Sequence, residues 1–313
     1  MKFSQIIGRQ ELIAYFLKAH QAERLSHAYI VEGQTGSGKK TLVEAFVNYL
    51  LCDNLTDAEV CGNCQPCTQF QSGNHPDVIY VRTSKKTGYG VDDIRDYILS
   101  QVNIRPYQSK YKIYIMEAAD SMTIQAQNVL LKTIEEPPAY ALFFLLAENK
   151  TRLLETVLSR CVHLKMPLLT ESEMQAFLRQ TGREDKQDLI PFAEGNIGKF
   201  LQLSESETFA EMKRDLENLL DRFIKSEERV IMGEVKKLEK YEENLEEALN
   251  VLQIVLRERL RSIYQQKKLA EQMQPAGKIE RQYYGLSLNL IRAKKQLLSN
   301  VNKNMILWNL FLP

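Results

Sequence analysis

The stretch Gly33-Gln34-Thr35-Gly36-Ser37-Gly38-Lys39-Lys40-Thr41 constrains this chain more than any other. It follows a short β-like apolar run, His27-Ala28-Tyr29-Ile30-Val31-Glu32, and precedes the helical pattern Leu42, Ala45, Phe46, Tyr49, Leu50. In the order strand, glycine-rich loop, helix, backbone N–H groups and a helix N-terminus can cradle phosphate oxygens. Gly33, Gly36 and Gly38 permit the tight turn and close approach, and Lys39 can set its ammonium against the β and γ phosphates. The candidate nucleotide-binding residues are thus Gly33, Gly36, Ser37, Gly38, Lys39, Lys40 and Thr41, with ATP or ADP as the expected ligand. A loop that merely turns the chain is the plain alternative.

One position departs from the pattern. After the motif lysine a Ser or Thr hydroxyl ordinarily binds Mg²⁺, but here stands Lys40, a cation that repels the metal. Thr41 is one position late, which on a helix is a rotation of about 100°. Nucleotide binding without efficient catalysis is the expectation, with Mg²⁺ doubtful.

Further β-like runs at Asp77 to Val81, Lys112 to Met116 and Ala141 to Ala147 alternate with helical pattern, which predicts a doubly wound parallel α/β sheet over 1–166. After Pro167 the strand signals stop. Thr170-Glu171-Ser172-Glu173 reads as a helix cap opening a small helical domain, 167–206, and charged amphipathic segments such as Leu245, Leu249, Leu252, Val255, Leu256 continue over 207–313 to the apolar tail near Trp308. The Lys/Glu-rich stretch from Lys225 to Asn244 reads as a solvated helix face. With 313 residues, two or three domains are expected. No run approaches the roughly 18 apolar residues of a membrane span, and Met1-Lys2-Phe3-Ser4-Gln5 lacks the regions of a secretory signal, so a cytoplasmic protein without membrane contact is expected.

Cys52, Cys61, Cys64 and Cys67 carry the second strong signal. Two tight Cys-x-x-Cys steps can set four thiolates around one tetrahedral Zn²⁺, and a closed Cys₄ site leaves no position for water, so its role is structural. A redox-active pair is the competing reading. Cys161 stands apart and reads as a packing residue, and His75 as a neighbour of the cluster or a loop residue.

The strand at Lys112 ends Ile115-Met116-Glu117-Ala118-Ala119-Asp120. Glu117 can take the metal-side position of a hydrolysing P-loop enzyme, but Ala118 sits where a water-activating carboxylate belongs and cannot take a proton. Asp120 reads mainly as the cap of a helix starting near Thr123.

Asn128-Val129-Leu130-Leu131-Lys132-Thr133-Ile134-Glu135-Glu136-Pro137-Pro138 followed by Ser159-Arg160-Cys161 resembles the bacterial DNA polymerase III clamp-loader subunits, members of the AAA+ family. The resemblance runs over nearly the whole chain. It implies an α/β AAA+ P-loop module with an inserted zinc module at about 52–67, a helical lid (167–206) and an all-helical collar for oligomerisation (207–313). It further implies that Arg160 projects in trans into the nucleotide site of a neighbouring subunit. Motor subunits of this family carry Asp-Glu where this chain has Glu117-Ala118, and an arginine in the lid segment where Gly195-Asn196-Ile197-Gly198 offers Gly198. Together with Lys40 these departures liken the chain to the delta-prime type of subunit, with little ATPase activity of its own. The implied partners are gamma/tau and delta subunits and, through the complex, a sliding clamp and primer-template DNA.

The net charge of +1 gives no global field for nucleic acid, so any contact must be local. Asp92 and Asp93 can cap a helix with Ile94, Ile98 and Val102 inward. Lys85, Lys86, Arg95 and Arg105 are candidates for salt-sensitive phosphate contacts, with ordinary surface charge as the alternative. The tyrosines between Tyr107 and Tyr114 read as strand packing. Two rival functions stand beside the resemblance: an autonomous gamma/tau-like ATPase, which requires Thr41 and Glu117 or Asp120 to rescue metal binding and water activation, and a zinc-stabilised nucleic-acid-binding scaffold.

Overall fold

The fold is given by a computed structural model that describes residues 2–56, 59–83, 85, 87–224, 236, 239–269, 277–299 and 302–311. Lys86 and most of the Lys/Glu-rich stretch after Lys225 lie outside them. Contacts divide the chain into two compact units, 1–187 with 194–199 and 188–193 with 200–313, so the expected lid range is shared between them.

In the first unit the elements run α1 (Gln10–Gln21), β1 (Ala28–Glu32), α2 (Lys39–Leu51), α3 (Gln65–Gln71), β2 (Val78–Val81), α4 (Val91–Ile94, continued by a π-helical turn to Leu99), β3 (Lys112–Met116), α5 (Ile124–Glu135), β4 (Ala141–Ala147), α6 (Glu155–Leu158), β5 (Val162–Lys165) and α7 (Glu171–Thr181). The five strands form one parallel sheet in the order β2-β3-β4-β1-β5. This is the expected doubly wound parallel α/β sheet, with the glycine-rich loop between β1 and α2.

The period of two along each strand sends alternate side chains to opposite faces. Tyr29, Val31, Ile115 and Phe144 join Phe16 of α1 and Phe46 of α2 on one side. Ile30, Tyr114, Phe143 and Leu145 join Ile94 and Ile98 of α4 and Leu130 and Ile134 of α5 on the other. All seven residues of β4 are buried. A central strand covered on both faces explains its unbroken apolar sequence. Sequence patterning missed β5, a short edge strand whose exposed His163 and Lys165 interrupt the apolar signal.

Several local expectations need correction. The helix from Ile124 is capped by Thr123, whose hydroxyl accepts from Ala126 N at 3.2 Å; Asp120 is not its cap. Asp93 acts from the third helical position, accepting from Gly90 N at 2.8 Å, while Asp92 is exposed. Ile94, Ile98 and Val102 do face inward. Tyr114 is buried in the sheet, but Tyr107 is 86% exposed. Its loop is fixed from below by the buried Asp77 carboxylate, which accepts from the backbone N–H groups of Tyr107, Gln108 and Ser109. Thr170 and Glu173 form the expected capping box of α7.

The second unit is helical: α8 (Ile190–Ala193), the greater part of α9 (Ile197–Glu205), α10 (Glu207–Ile224), α11 (Leu245–Leu269), α12 (Lys278–Leu297) and α13 (Lys303–Phe311). Its core takes Met212, Leu216 and Leu219 from α10, Leu249, Leu252 and Leu256 from α11, Leu286 and Leu290 from α12 and Ile306 from α13. These positions follow the three- and four-residue steps of helix faces. Among the described residues, no helix is long and apolar enough to cross a membrane.

Candidate functional site

A parallel sheet gathers its loops at the carboxyl ends of its strands, where ligands of such folds bind. Here β1 delivers the glycine-rich loop, β3 delivers Glu117 to Asp120, and β4 delivers Glu148 and Asn149. Gly36 and Gly38 take φ values of 80° and 89°, the left-handed region that only glycine enters without strain. Space is open on the Cβ side of Gly38, and the Ser37 hydroxyl is buried without a hydrogen-bond partner among the described residues. Followed by the N-terminus of α2 at Lys39, the loop fits an anionic phosphate.

The surroundings of this loop come from the chain itself. Lys39 Nζ donates to the carbonyls of Gly33 and Gln34 at 2.5 and 2.9 Å, and burial holds its pKa below the ordinary value against the pull of Glu148, Asp120 and Glu117. Lys40 Nζ lies 2.8 Å from Glu117 Oε1. This hydrogen bond raises the Lys40 pKa, and the ammonium also sits 5.5 Å from the centre of the Tyr80 ring. The residue after the motif lysine therefore pairs directly with the carboxylate at the end of β3. With side chains 47% and 54% exposed, the pair contributes only about 0–1 kcal/mol to stability. Its consequence is local: at an effective dielectric constant near 20, a fixed ammonium about 4 Å away opposes each unit of cationic charge by about 4 kcal/mol. Lys40 and Glu117 also line an open cleft of about 650 Å³ with Glu44 and Tyr80.

Ala118 is exposed and adopts φ 48°, so the position after Glu117 presents only a methyl group on a strained turn. Asp120 is engaged by the backbone. Its buried carboxylate accepts from Glu148 N and Asn149 N at 3.2 and 3.1 Å, tying the turn after β3 to the end of β4.

The segment Gly195-Asn196-Ile197-Gly198 closes on the loop. Gly198 N donates to Gly36 O at 2.9 Å, and the buried Asn196 Nδ2 donates to Thr35 O at 2.8 Å. A Cβ on Gly198 would stand 2.5 Å from Gly36 Cα, so the contact requires glycine there. Asn196 was not singled out from sequence, nor was Glu148, whose carboxylate accepts from the Thr35 hydroxyl at 3.3 Å. Arg9 was missed too; buried beside the loop, it donates to Gly8 O at 3.0 Å. Glu148 could have been suspected as a polar residue at the carboxyl end of a buried strand. Arg9 and Asn196 carry no such local signal.

Cys52, Cys61, Cys64 and Cys67 bring their sulfurs within 4.8 Å of one another, with Cys52 and Cys61 3.6 Å apart. Four thiolates around a tetrahedral ion with bonds of about 2.3 Å stand about 3.8 Å apart, so the cluster could hold a metal ion. Backbone N–H groups of Asn63 and Cys64 lower the Cys61 pKa to about 6, whereas burial raises that of Cys67. The buried His75 accepts from Asp77 N through Nδ1 at 3.2 Å and serves the loop above it. Cys161 is half-buried against the sheet core, and burial lifts its thiol to about 12, far from a reactive thiolate.

Arg160 follows α6 with its side chain 39% exposed. Its guanidinium pairs with Glu135 at 2.9 Å. Lys85, Arg95 and Arg105 are exposed, and Arg95 has a weak 3.7 Å pair with Asp92. No geometry distinguishes these three from ordinary surface charge.

Over residues 8–170, just over half its length, the chain matches the family described as DNA polymerase III, delta subunit. It is 28% identical over 233 residues to DNA polymerase III subunit tau/gamma of Haemophilus influenzae, covering 74% of this chain and 32% of that protein. It is 29% identical over 196 residues to DNA polymerase III subunit tau of Bacillus subtilis, covering 63% of this chain and 34% of that protein. The chain thus spans about a third of the length of these two relatives. Among solved structures, a DNA polymerase III gamma subunit-related protein from Thermotoga maritima aligns over 96% of both chains at 18% identity and a TM-score of 0.42.

Proposed function

The chain belongs to the clamp-loader family described as DNA polymerase III, delta subunit, and from that premise we propose that it is a delta-prime-type subunit, a fixed member of the complex that opens a sliding clamp for primed DNA without hydrolysing ATP itself. The observation that carries this reading is the Lys40–Glu117 ion pair. It sets an ammonium in the metal's place and neutralises the carboxylate that would hold Mg²⁺, while Ala118 offers no base to activate water. Gly198, packed on Gly36, offers no lid arginine to the phosphates. Loss of metal, base and lid cation together argues against a motor subunit, although the relatives bear tau and gamma names.

In this reading Gly36, Ser37, Gly38 and Lys39 hold ATP or ADP statically, and Arg160 reaches in trans to a gamma/tau neighbour's nucleotide. Zn²⁺ at the four cysteines is structural. Residues 167–206 act as the lid and 207–313 as the collar. Tyr284, Leu288 and Ile291 follow one another at helical steps on α12 and are 65%, 42% and 50% exposed, an apolar stripe suited to a neighbouring collar helix. The protein works in the cytoplasm with delta and gamma/tau subunits, and Lys85, Arg95 and Arg105 supply at most salt-sensitive contacts to DNA.

Titration calorimetry with ATP, with and without Mg²⁺, tests the metal argument. The native chain is expected to bind ATP equally in both conditions. Lys40→Thr, which restores the hydroxyl and frees Glu117, is expected to bind about tenfold more tightly with Mg²⁺ than without, a change of about 1.4 kcal/mol. Strong Mg²⁺ dependence in the native chain would overturn the reading.

A further inference from the structure

Glu135 stands where helix electrostatics disfavours it. It is the last residue of α5, where unsatisfied carbonyls concentrate partial negative charge and a cation would be the stabilising choice. Its partner explains the position. Glu135 Oε1 lies 2.9 Å from Arg160 Nη2, while Arg160 Nη1 donates to Thr156 O at 3.0 Å and to Ser159 Oγ at 3.2 Å. Three acceptors thus fix two nitrogens of one guanidinium, although both ion-pair side chains remain about 40% exposed.

The two helices are also tied at their N-terminal ends. Gln127 of α5 is buried, donates to Arg152 O at 3.1 Å and accepts from Leu154 N at 2.7 Å, which ties α5 to the start of α6. Glu135 ends α5 and Arg160 stands just past α6, so both follow helices tied to one another, an arrangement that restricts a long side chain otherwise free to sample many rotamers. A guanidinium has five N–H donors, so the contacts to Glu135, Thr156 and Ser159 leave donors for a phosphate oxygen.

We propose that Glu135 is a positioning residue for Arg160: its carboxylate keeps the guanidinium oriented toward the terminal phosphate of a nucleoside triphosphate held by a neighbouring subunit. The proposal rests on the reading of Arg160 as a finger acting in trans. Glu135 itself touches no phosphate, and its effect passes through the arginine.

The test compares Glu135→Gln, Glu135→Asp, Arg160→Ala and the double variant Glu135→Gln/Arg160→Ala in complexes reconstituted from full-length subunits, clamp and primed DNA, with assembly verified by gel filtration. Glu135→Gln is expected to lower kcat for ATP hydrolysis about tenfold, in line with misplacement of a catalytic group, and to leave KM for ATP unchanged. Glu135→Asp should recover part of the loss. The double variant should be no worse than Arg160→Ala. A kcat for Glu135→Gln at or above the native value, a loss confined to KM, or additive losses in the double variant would overturn the proposal. If Arg160→Ala is impaired and Glu135→Gln is not, the positioning role alone falls; if Arg160→Ala hydrolyses normally, the trans-finger reading falls and takes the positioning role with it.

Discussion

Replacing Arg160 with alanine should lower clamp- and DNA-stimulated ATP hydrolysis by the reconstituted complex about a thousandfold, the lower end of the range for arginine fingers. The expected size follows from what a guanidinium supplies: delocalised positive charge and forked donors where negative charge is stabilised during phosphoryl transfer. The substitution should spare the fold. Arg160 is partly exposed, its ion pair with Glu135 is a surface pair worth about 0–1 kcal/mol, and the carboxylate left behind remains in contact with water. Steady-state ATPase assays alongside gel filtration of the complex separate the two effects. Lost assembly with normal residual turnover per complex would assign Arg160 a structural role instead.

The second large effect is expected at the cysteines. Cys67 is fully buried, and with Val60 and Phe70 of the same module it packs into the core on one face of the sheet. If the cluster holds a structural ion, as proposed, Cys67→Ser should abolish its binding and loosen that packing, with a loss of about 3 kcal/mol, the upper end of the usual range for one substitution. In a domain of this size that loss lowers the melting temperature by about 6–12 °C. Elemental analysis and thermal unfolding measure both consequences, and a strong chelator should reproduce the destabilisation in the native chain. Acidification should act in the same direction. Metal binding requires deprotonated thiols, burial raises the Cys67 pKa, and so the proton competes more effectively with the metal as pH falls. An unchanged melting temperature after complete metal removal would deny the ion a structural role.

Features fixed by local chemistry were legible in the sequence. The strand, glycine-rich loop and helix announce themselves because the loop needs glycine at its positive φ positions and the flanking patterns change period from two to 3.6. The capping box at Thr170 was readable because both partners lie within one turn. The cysteine spacing likewise anticipated a cluster assembled over a short stretch.

What escaped depends on partners distant in the chain. Asp120 looked like a cap for the adjacent helix, but its carboxylate serves the backbone at Glu148 and Asn149. Asn196 reaches the phosphate loop from a segment more than 150 residues away, as its hydrogen bond to Thr35 records. The edge strand β5 failed because only one side of it is paired and its outward residues are polar. Tyr107 misled for the opposite reason: an aromatic residue next to a strand suggested packing, yet the Asp77 carboxylate holds its loop outside the core. Lys40 was an anomaly in sequence and acquired a partner only in the fold, where β3 brings Glu117 to it.

The central claim is that this chain occupies a P-loop fold without running its hydrolytic chemistry. Its most direct test is ATP turnover by the pure, isolated chain in saturating Mg²⁺, with the purified gamma/tau subunit as the positive control. The account predicts no hydrolysis above background, because Lys40 fills the metal position and Ala118 supplies no base. Steady, Mg²⁺-dependent turnover by the isolated chain would contradict it.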